Sequence, residues 1–181
     1  MLYDQTKFKN KYRIESTRLP DWDYSNEGWY FVTICTKDKK HSFGDVKWET
    51  MQLSKIGEKT LDFWNETSCY FKNILIDEFM IMPNHLHGIL IIKHKIDTNI
   101  QRTERKFGLL PKNSISSAIN HFKGKTTKWC KKNNYPDFDW QDNHYEHIIR
   151  DETSLKKIRQ YIFYNPQRWE FDRNNPENLL I

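Results

Sequence analysis

The sequence predicts an α+β fold: an antiparallel sheet covered by helices on one face. Three observations carry this reading. Aromatic and β-branched runs of strand length recur along the chain, as in residues 29–36 and 73–82. Between them lie stretches with apolar residues at i, i+3 and i+4, near 54–67, 115–132 and 154–165. Pro83-Asn84 interrupts the longest apolar run and marks it as a hairpin.

Each element follows from local chemistry. Residues 1–28 are polar and basic, with Lys7, Lys9, Lys11, Arg13 and Arg18, while Pro20, Asn26 and Gly28 oppose a long helix. This is an arm, either a solvated segment or one that lies along a phosphate backbone through Arg13 and Arg18. Residues 29–36 form a strong strand, 37–41 a charged turn, and 43–53 contain one short strand. Ile56, Leu61 and Trp64 give the first helix its apolar face. Residues 73–82 and 86–92 are the strands of the hairpin. Residues 93–113 are basic, poor in apolar residues, and read as an exposed loop. Ser114 is placed to cap the second helix, whose stripe is Ile115, Ala118, Ile119, Phe122 and Trp129. Lys123, Lys125, Lys128, Lys131 and Lys132 fill its other positions, for solubility or for phosphate contact. A strand over 144–150 precedes a last helix over 154–165 that carries Leu155, Ile158 and Ile162 and stops near Pro166. The tail from 167 reads as irregular. The order is that of a ferredoxin-like βαββαβ core with an extra C-terminal helix, in a single domain over 1–181.

Composition narrows the class. Of 181 residues 37% are hydrophobic and 29% charged, which suits a soluble globular chain. The net charge of +5 favours an anionic partner, most commonly nucleic acid. Cys35, Cys69 and Cys130 are odd in number, far apart and without a Cys-x-x-Cys pair. That suggests neither a zinc ribbon nor a disulfide framework, and fits reduced thiols in a cytoplasm. The apolar runs are too short for a membrane helix, and the N-terminus has no signal-peptide core.

Two sets of residues carry chemistry. His85 and His87 flank Leu86 at a strand start, so both imidazoles project from one face while Leu86 projects from the other. With 7 histidines in the chain, such a pair arises by chance about 0.3 times, so the spacing alone leaves two readings open. The pair is either two half-exposed polar side chains or the start of a divalent metal site. Tyr161 and Asn165 are i and i+4 on the last helix and share its side. A phenol of ordinary pKa, about 10, is a poor nucleophile near neutrality. It becomes competent where a metal polarises the electrophile. Two imidazoles, the Asn165 amide oxygen and a phosphate oxygen suit Mg²⁺ or Mn²⁺. Tyr161 also reads as an amphipathic residue at a core edge. Tyr164 lies about 60° round the helix from it.

His85-Leu86-His87 after Met82-Pro83-Asn84 resembles the HUH motif (His-hydrophobic-His) of the single-tyrosine transposases. Tyr161-Ile162-Phe163-Tyr164-Asn165-Pro166 resembles the tyrosine helix of one branch, the REP-associated tyrosine transposases. The segments Arg18–Tyr24, Trp29–Thr36, Trp140-Gln141 and Tyr145–Arg150 resemble that branch too, in the same order, over about residues 13–172. The resemblance implies a ferredoxin-like fold and cleavage and rejoining of single-stranded DNA through a 5′-phosphotyrosine. It matches Tyr161 to the nucleophile, His85 and His87 to metal ligands, and Asn165 to the third ligand position, where insertion-sequence relatives usually carry Gln. It further implies a hairpin in the DNA and either a dimer or a monomer. The arm, the 93–113 loop and Lys123 are candidates for the DNA contact. The alternatives are a catalytically silent or domesticated hairpin-DNA-binding protein and a metal hydrolase that uses water.

Overall fold

Of the two strands that pair on both sides, one is the run richest in aromatic and β-branched residues, 28–35. The computed structural model describes residues 7–8, 11–12, 22–94 and 113–180. Arg13, Arg18 and most of the 93–113 loop lie outside the described residues. A short antiparallel pair, β1 (Lys7–Phe8) and β2 (Lys11–Tyr12), precedes β3 (Gly28–Cys35). Then come β4 (Gly44–Lys47), β5 (Thr50–Leu53), α1 (Lys55–Asn65), α2 (Thr67–Tyr70), β6 (Ile74–Met82) and β7 (His85–Ile92). The chain continues with α3 (Ile115–Lys132), β8 (Tyr145–Ile149) and α4 (Glu152–Phe163). Four strands form one antiparallel sheet in the order β6-β7-β3-β8. With α1 and α3 as the crossovers, this is the ferredoxin-like order expected from the sequence.

Strand alternation divides the sheet into two faces with different tasks. Tyr30, Val32 and Ile34 of β3 and Leu86, Leu90 and Ile92 of β7 face α1 and α3, in one core with Trp64, Ile119 and Phe122. Phe31 and Ile89 face the other way and meet Leu155 and Ile162 of α4. The extra helix therefore lies opposite the other two, on the face from which His85 and His87 project. Arg159 holds α4 to the sheet edge through Asp77 of β6, at 2.7 Å.

Helix starts are set by side-chain caps. Ser54 accepts from the Gly57 amide, and Ser114 and Ser117 form a reciprocal capping box. Asp151 accepts from the Ser154 amide at 2.8 Å, so α4 begins at Glu152, two residues before the expected start. It ends at Phe163 rather than 165, because Pro166 opens a 3-10 helix, Pro166–Phe171. Two further expectations are corrected. Residues 43–53 form two short strands, not one, joined by a tight turn in which Trp48 and Glu49 both have positive φ. Primed hairpin turns usually announce themselves by Asn-Gly, and Trp-Glu hides this one. The tail is not irregular: 3-10 helices at Pro166–Phe171 and Pro176–Leu180 flank a buried segment containing Asp172, Asn174 and Asn175.

Gly88 shows how tightly the helical face is packed. It sits in β7 between Leu86 and Leu90, and a Cβ there would lie 2.6 Å from Cζ2 of the fully buried Trp64. A glycine in mid-strand is thus required by the indole above it. Gly88→Ala should destabilise the fold by about 1–3 kcal/mol, the range for overpacking a filled core. Urea unfolding of the two proteins measures this, and equal midpoints would show that Trp64 yields freely.

Candidate functional site

The site is built around the turn between β6 and β7. Neither Pro83 nor Asn84 has a positive φ, so tertiary hydrogen bonds rather than a primed turn hold the loop. The Asn84 carbonyl accepts from the amide and hydroxyl of Thr36, at 2.8 and 3.0 Å. Its side-chain nitrogen donates to the carbonyls of Lys39 (3.1 Å) and Asn174 (2.7 Å). The orientation of the amide is therefore fixed, and Oδ1 is left facing Nδ1 of His85 at 2.8 Å. An acceptor oxygen there requires His85 to carry its proton on Nδ1. Nε2 is then a bare lone pair, and it is buried without a hydrogen-bond partner.

His87 is oriented the same way from the neighbouring strand. Thr33 is its register partner on β3, and the Thr33 hydroxyl lies 2.9 Å from Nδ1 of His87. Nε2 of His87 faces the Tyr161 hydroxyl at 3.1 Å. The two imidazole centroids are 4.4 Å apart, and both rings are completely buried, so the half-exposed reading of the pair does not hold. Burial, reinforced by the Arg173 and Lys39 charges, pulls the His85 pKa down to about 3. Burial and the adjacent His85 push His87 well below the usual imidazole range. Both rings are neutral near pH 7, the form that ligates a metal.

The last helix and the tail complete the cluster. Tyr161 reaches His87 from α4 and lies 3.4 Å from the Asp172 carboxylate. Burial and that carboxylate push its pKa up to about 12, so the phenol holds its proton in the resting protein. Asn165 lies two residues past the end of α4, in helical backbone geometry, and is buried. Its side-chain nitrogen donates to Asp172 at 3.0 Å, leaving Oδ1 without a partner. Asp172 also accepts from the Asn174 amide at 2.6 Å. Ligand atoms of His85, His87 and Asp172 lie within 4.8 Å of one another, so these three can hold a metal ion. Two orphaned buried atoms, His85 Nε2 and Asn165 Oδ1, fit the same use, since each gains a partner when a cation is bound.

The fold thus brings together His85, His87, Tyr161 and Asn165. It sets Lys123 apart: its ammonium donates to the carbonyls of Gln141 and Asn143, at 2.8 and 3.3 Å, and steadies the loop before β8. Tyr164 is nearly half exposed and turned away, against Phe163. Gln141 is exposed and gives its amide to the Cys35 carbonyl, and His147 is exposed on β8. The sequence reading missed Asp172, Thr33 and the use of the Asn84 side chain. Asp172 carries no detectable signal, for it sits in a polar stretch without periodicity. Thr33 is visible only once the β3–β7 register is known.

Two outcomes follow from this geometry. Thr33→Val leaves His87 without its orienting hydroxyl, and Mn²⁺ affinity by calorimetry should fall about 10–100-fold. Acidification should also cost stability. His85 takes up a proton near 6.5 when unfolded but only near 3 when folded. Between those values the unfolded chain binds more protons, so stability falls as pH drops below 6.5, by roughly 1.4 kcal/mol per unit from this residue. Melting between pH 7.5 and 4 measures the slope, and His85→Gln should flatten it.

No protein-family model matches the chain. An uncharacterized protein of Haemophilus influenzae is 41% identical over 163 residues, 87% of this chain and 91% of that one. A second protein of the same organism, named "Putative REP-associated tyrosine transposase", is 25% identical over 80% of this chain and 73% of its own length. A solved structure of a REP-associated tyrosine transposase bound to a REP hairpin superposes with a TM-score of 0.60. It covers 89% of this chain and 77% of that chain at 17% identity, a likeness of fold. The chain belongs to one family with the first of these Haemophilus influenzae proteins; it is similar in sequence to the second and in fold to the solved REP-associated tyrosine transposase.

Proposed function

We propose that this protein cleaves and rejoins single-stranded DNA through a covalent bond to Tyr161, at sites beside a hairpin. The observation that carries the reading is the 3.1 Å approach of the Tyr161 hydroxyl to His87, inside a buried cluster of metal-ligating atoms. The hairpin comes from the structural relative, whose structure holds a REP hairpin. The net charge of +5 suits a nucleic acid.

His85 and His87 would hold a divalent cation, Mg²⁺ or Mn²⁺, with the Asn165 amide oxygen as third donor and the Asp172 carboxylate beside them. The ion would supply positive charge to the scissile phosphate and lower the barrier to attack on it. Tyr161 provides the nucleophile. Its proton has two acceptors in the site, His87 Nε2 and the Asp172 carboxylate. With the His87 lone pair engaged as a ligand, Asp172 is the acceptor left for it. The phenolic oxygen bonds to phosphorus, the P–O3′ bond breaks, and the departing oxygen takes up a proton as a free 3′-OH. Attack of a 3′-OH on the phosphotyrosine reverses these changes and joins strands without ATP, since the phosphodiester energy is kept in the covalent link. Phe31 braces the reacting groups: its ring stacks on His87 at 5.3 Å and meets Tyr161 edge-on at 6.2 Å.

Incubation with a labelled oligonucleotide that carries a hairpin and a single-stranded flank, in Mn²⁺, is the test. Wild-type protein should yield a denaturation-resistant protein–DNA adduct. Tyr161→Phe should bind the oligonucleotide with near wild-type affinity and yield none. An adduct undiminished in Tyr161→Phe would remove this tyrosine from the reaction. Cut DNA without any adduct would indicate hydrolysis by water, and binding without either would indicate a DNA-binding protein.

A further inference from the structure

The segment between the two 3-10 helices is pinned at each of three successive residues. Asp172 receives the Asn165 side chain, the Arg173 carbonyl accepts from Lys39 Nζ at 2.9 Å, and the Asn174 carbonyl accepts from Asn84. Two of these residues are buried, and Arg173 between them is exposed. Its backbone is held while its side chain is exposed. The guanidinium lies 5.6 Å from the Tyr145 ring centroid. Tyr145 is the register partner of Thr33, whose hydroxyl orients His87. The Tyr145 ring also meets Phe31 edge-on, and Phe31 touches both His87 and Tyr161. Arg173 therefore lies along an aromatic floor that ends at the reacting groups.

Its charge has no carboxylate within ion-pair distance among the described residues, and nearby groups feel it. It helps lower His85 and His87, and it opposes the upward pull of Asp172 on Tyr161. A planar cation with free donors beside a buried site that contains one carboxylate is matched to a second anion. On the strand-cleavage reading above, that anion is the phosphate under attack.

We propose that Arg173 binds the non-bridging oxygens of the scissile phosphate and neutralises the charge they gather as Tyr161 attacks. Its planar fork fits two phosphate oxygens at once, which a lysine ammonium does not. Stacking on Tyr145 presents the fork without holding its donors in other bonds. The bonds made and broken are those already given, O–P formed and P–O3′ cleaved, with no added reactant.

The experiment measures the single-turnover rate of adduct formation at saturating hairpin oligonucleotide in Mn²⁺, beside the oligonucleotide Kd and the melting temperature. Arg173→Ala and Arg173→Gln should slow adduct formation about 100-fold or more, the usual cost of removing one preorganised charge-stabilising donor. Their Kd should change less than about tenfold, since many other phosphate contacts remain. Arg173→Lys should recover part of the rate and leave melting unchanged. The inference is overturned if the alanine and glutamine variants react within about threefold of wild type. It is overturned equally if lysine recovers nothing and all three variants melt early, which would make Arg173 a structural brace. If wild-type protein itself forms no adduct, the cleavage reading falls first and this inference with it.

Discussion

The carboxamide of Asn84 is the constraint on which the site depends. Its nitrogen is committed to two backbone carbonyls, one before β4 and one in the tail. Among the described residues its oxygen serves the His85 ring alone. One buried side chain therefore sets the tautomer of a histidine, closes the hairpin turn and fixes the segment that bears Asp172 and Arg173. An aspartate there would lose both donors, and an alanine would strand the buried Asn174 carbonyl and the half-buried Lys39 carbonyl as well as the ring nitrogen. The Pro83-Asn84 dipeptide does more than reverse the chain. It joins three stretches distant in sequence at one point beside the imidazoles.

The second consequence is energetic. Two neutral imidazoles, a phenol, a carboxamide and one carboxylate share a water-poor volume on the α4 face of the sheet. Such an assembly is costly unless each polar atom is paired. The pairing is nearly complete: among the described residues of the cluster and the tail beside it, the exceptions are His85 Nε2, Asn165 Oδ1 and the Asn174 side-chain nitrogen. The first two are lone-pair atoms with no proton to give. A cation satisfies both at once. The sheet's other face carries the cost, for it holds the larger apolar core, with Trp64, Phe43 and Phe122 all fully buried. Its packing around Gly88 leaves no slack.

Much of this was readable in the sequence, and the unreadable part has a common cause. The hairpin, the three long helices and the facing of His85 and His87 follow from periodicities within a few residues, where local rules act. Ser114 as a cap was visible for the same reason. The stripe on α3 is buried as expected at Ile115, Ala118, Ile119 and Phe122, with Trp129 half-buried against the core; Thr126 and Cys130 continue it, a polar-looking extension of an apolar row. The turn at Trp48-Glu49 was invisible because its residues contradict its backbone. The tail reads as irregular because 3-10 geometry leaves no apolar periodicity, and the segment around Asp172 owes its place to hydrogen bonds with Asn84 and Lys39, far away in the chain. Helix, strand and motif are written locally. The carboxylate and the arginine of the site are written only in the tertiary fold.

The position of those two residues has a chemical logic of its own. Tyr161 sits on α4, a regular helix held to the sheet by Leu155, Ile162 and the Arg159–Asp77 pair. Asp172 and Arg173 sit on a short connection tied to more distant parts of the chain by hydrogen bonds with Asn165, Lys39 and Asn84, and to its own 3-10 helices by bonds from Asn178 and to Trp169. Apolar burial fixes the tyrosine helix firmly, whereas a few polar bonds fix the tail less so. Of the acidic and basic groups around the phenol, those with opposite charge are thus borne by adjacent residues of one segment. Asp172 raises the tyrosine pKa and Arg173 lowers it. Burial is the main cause of the raised phenol pKa, and a small displacement of that segment alters the two opposed charge influences together on top of it.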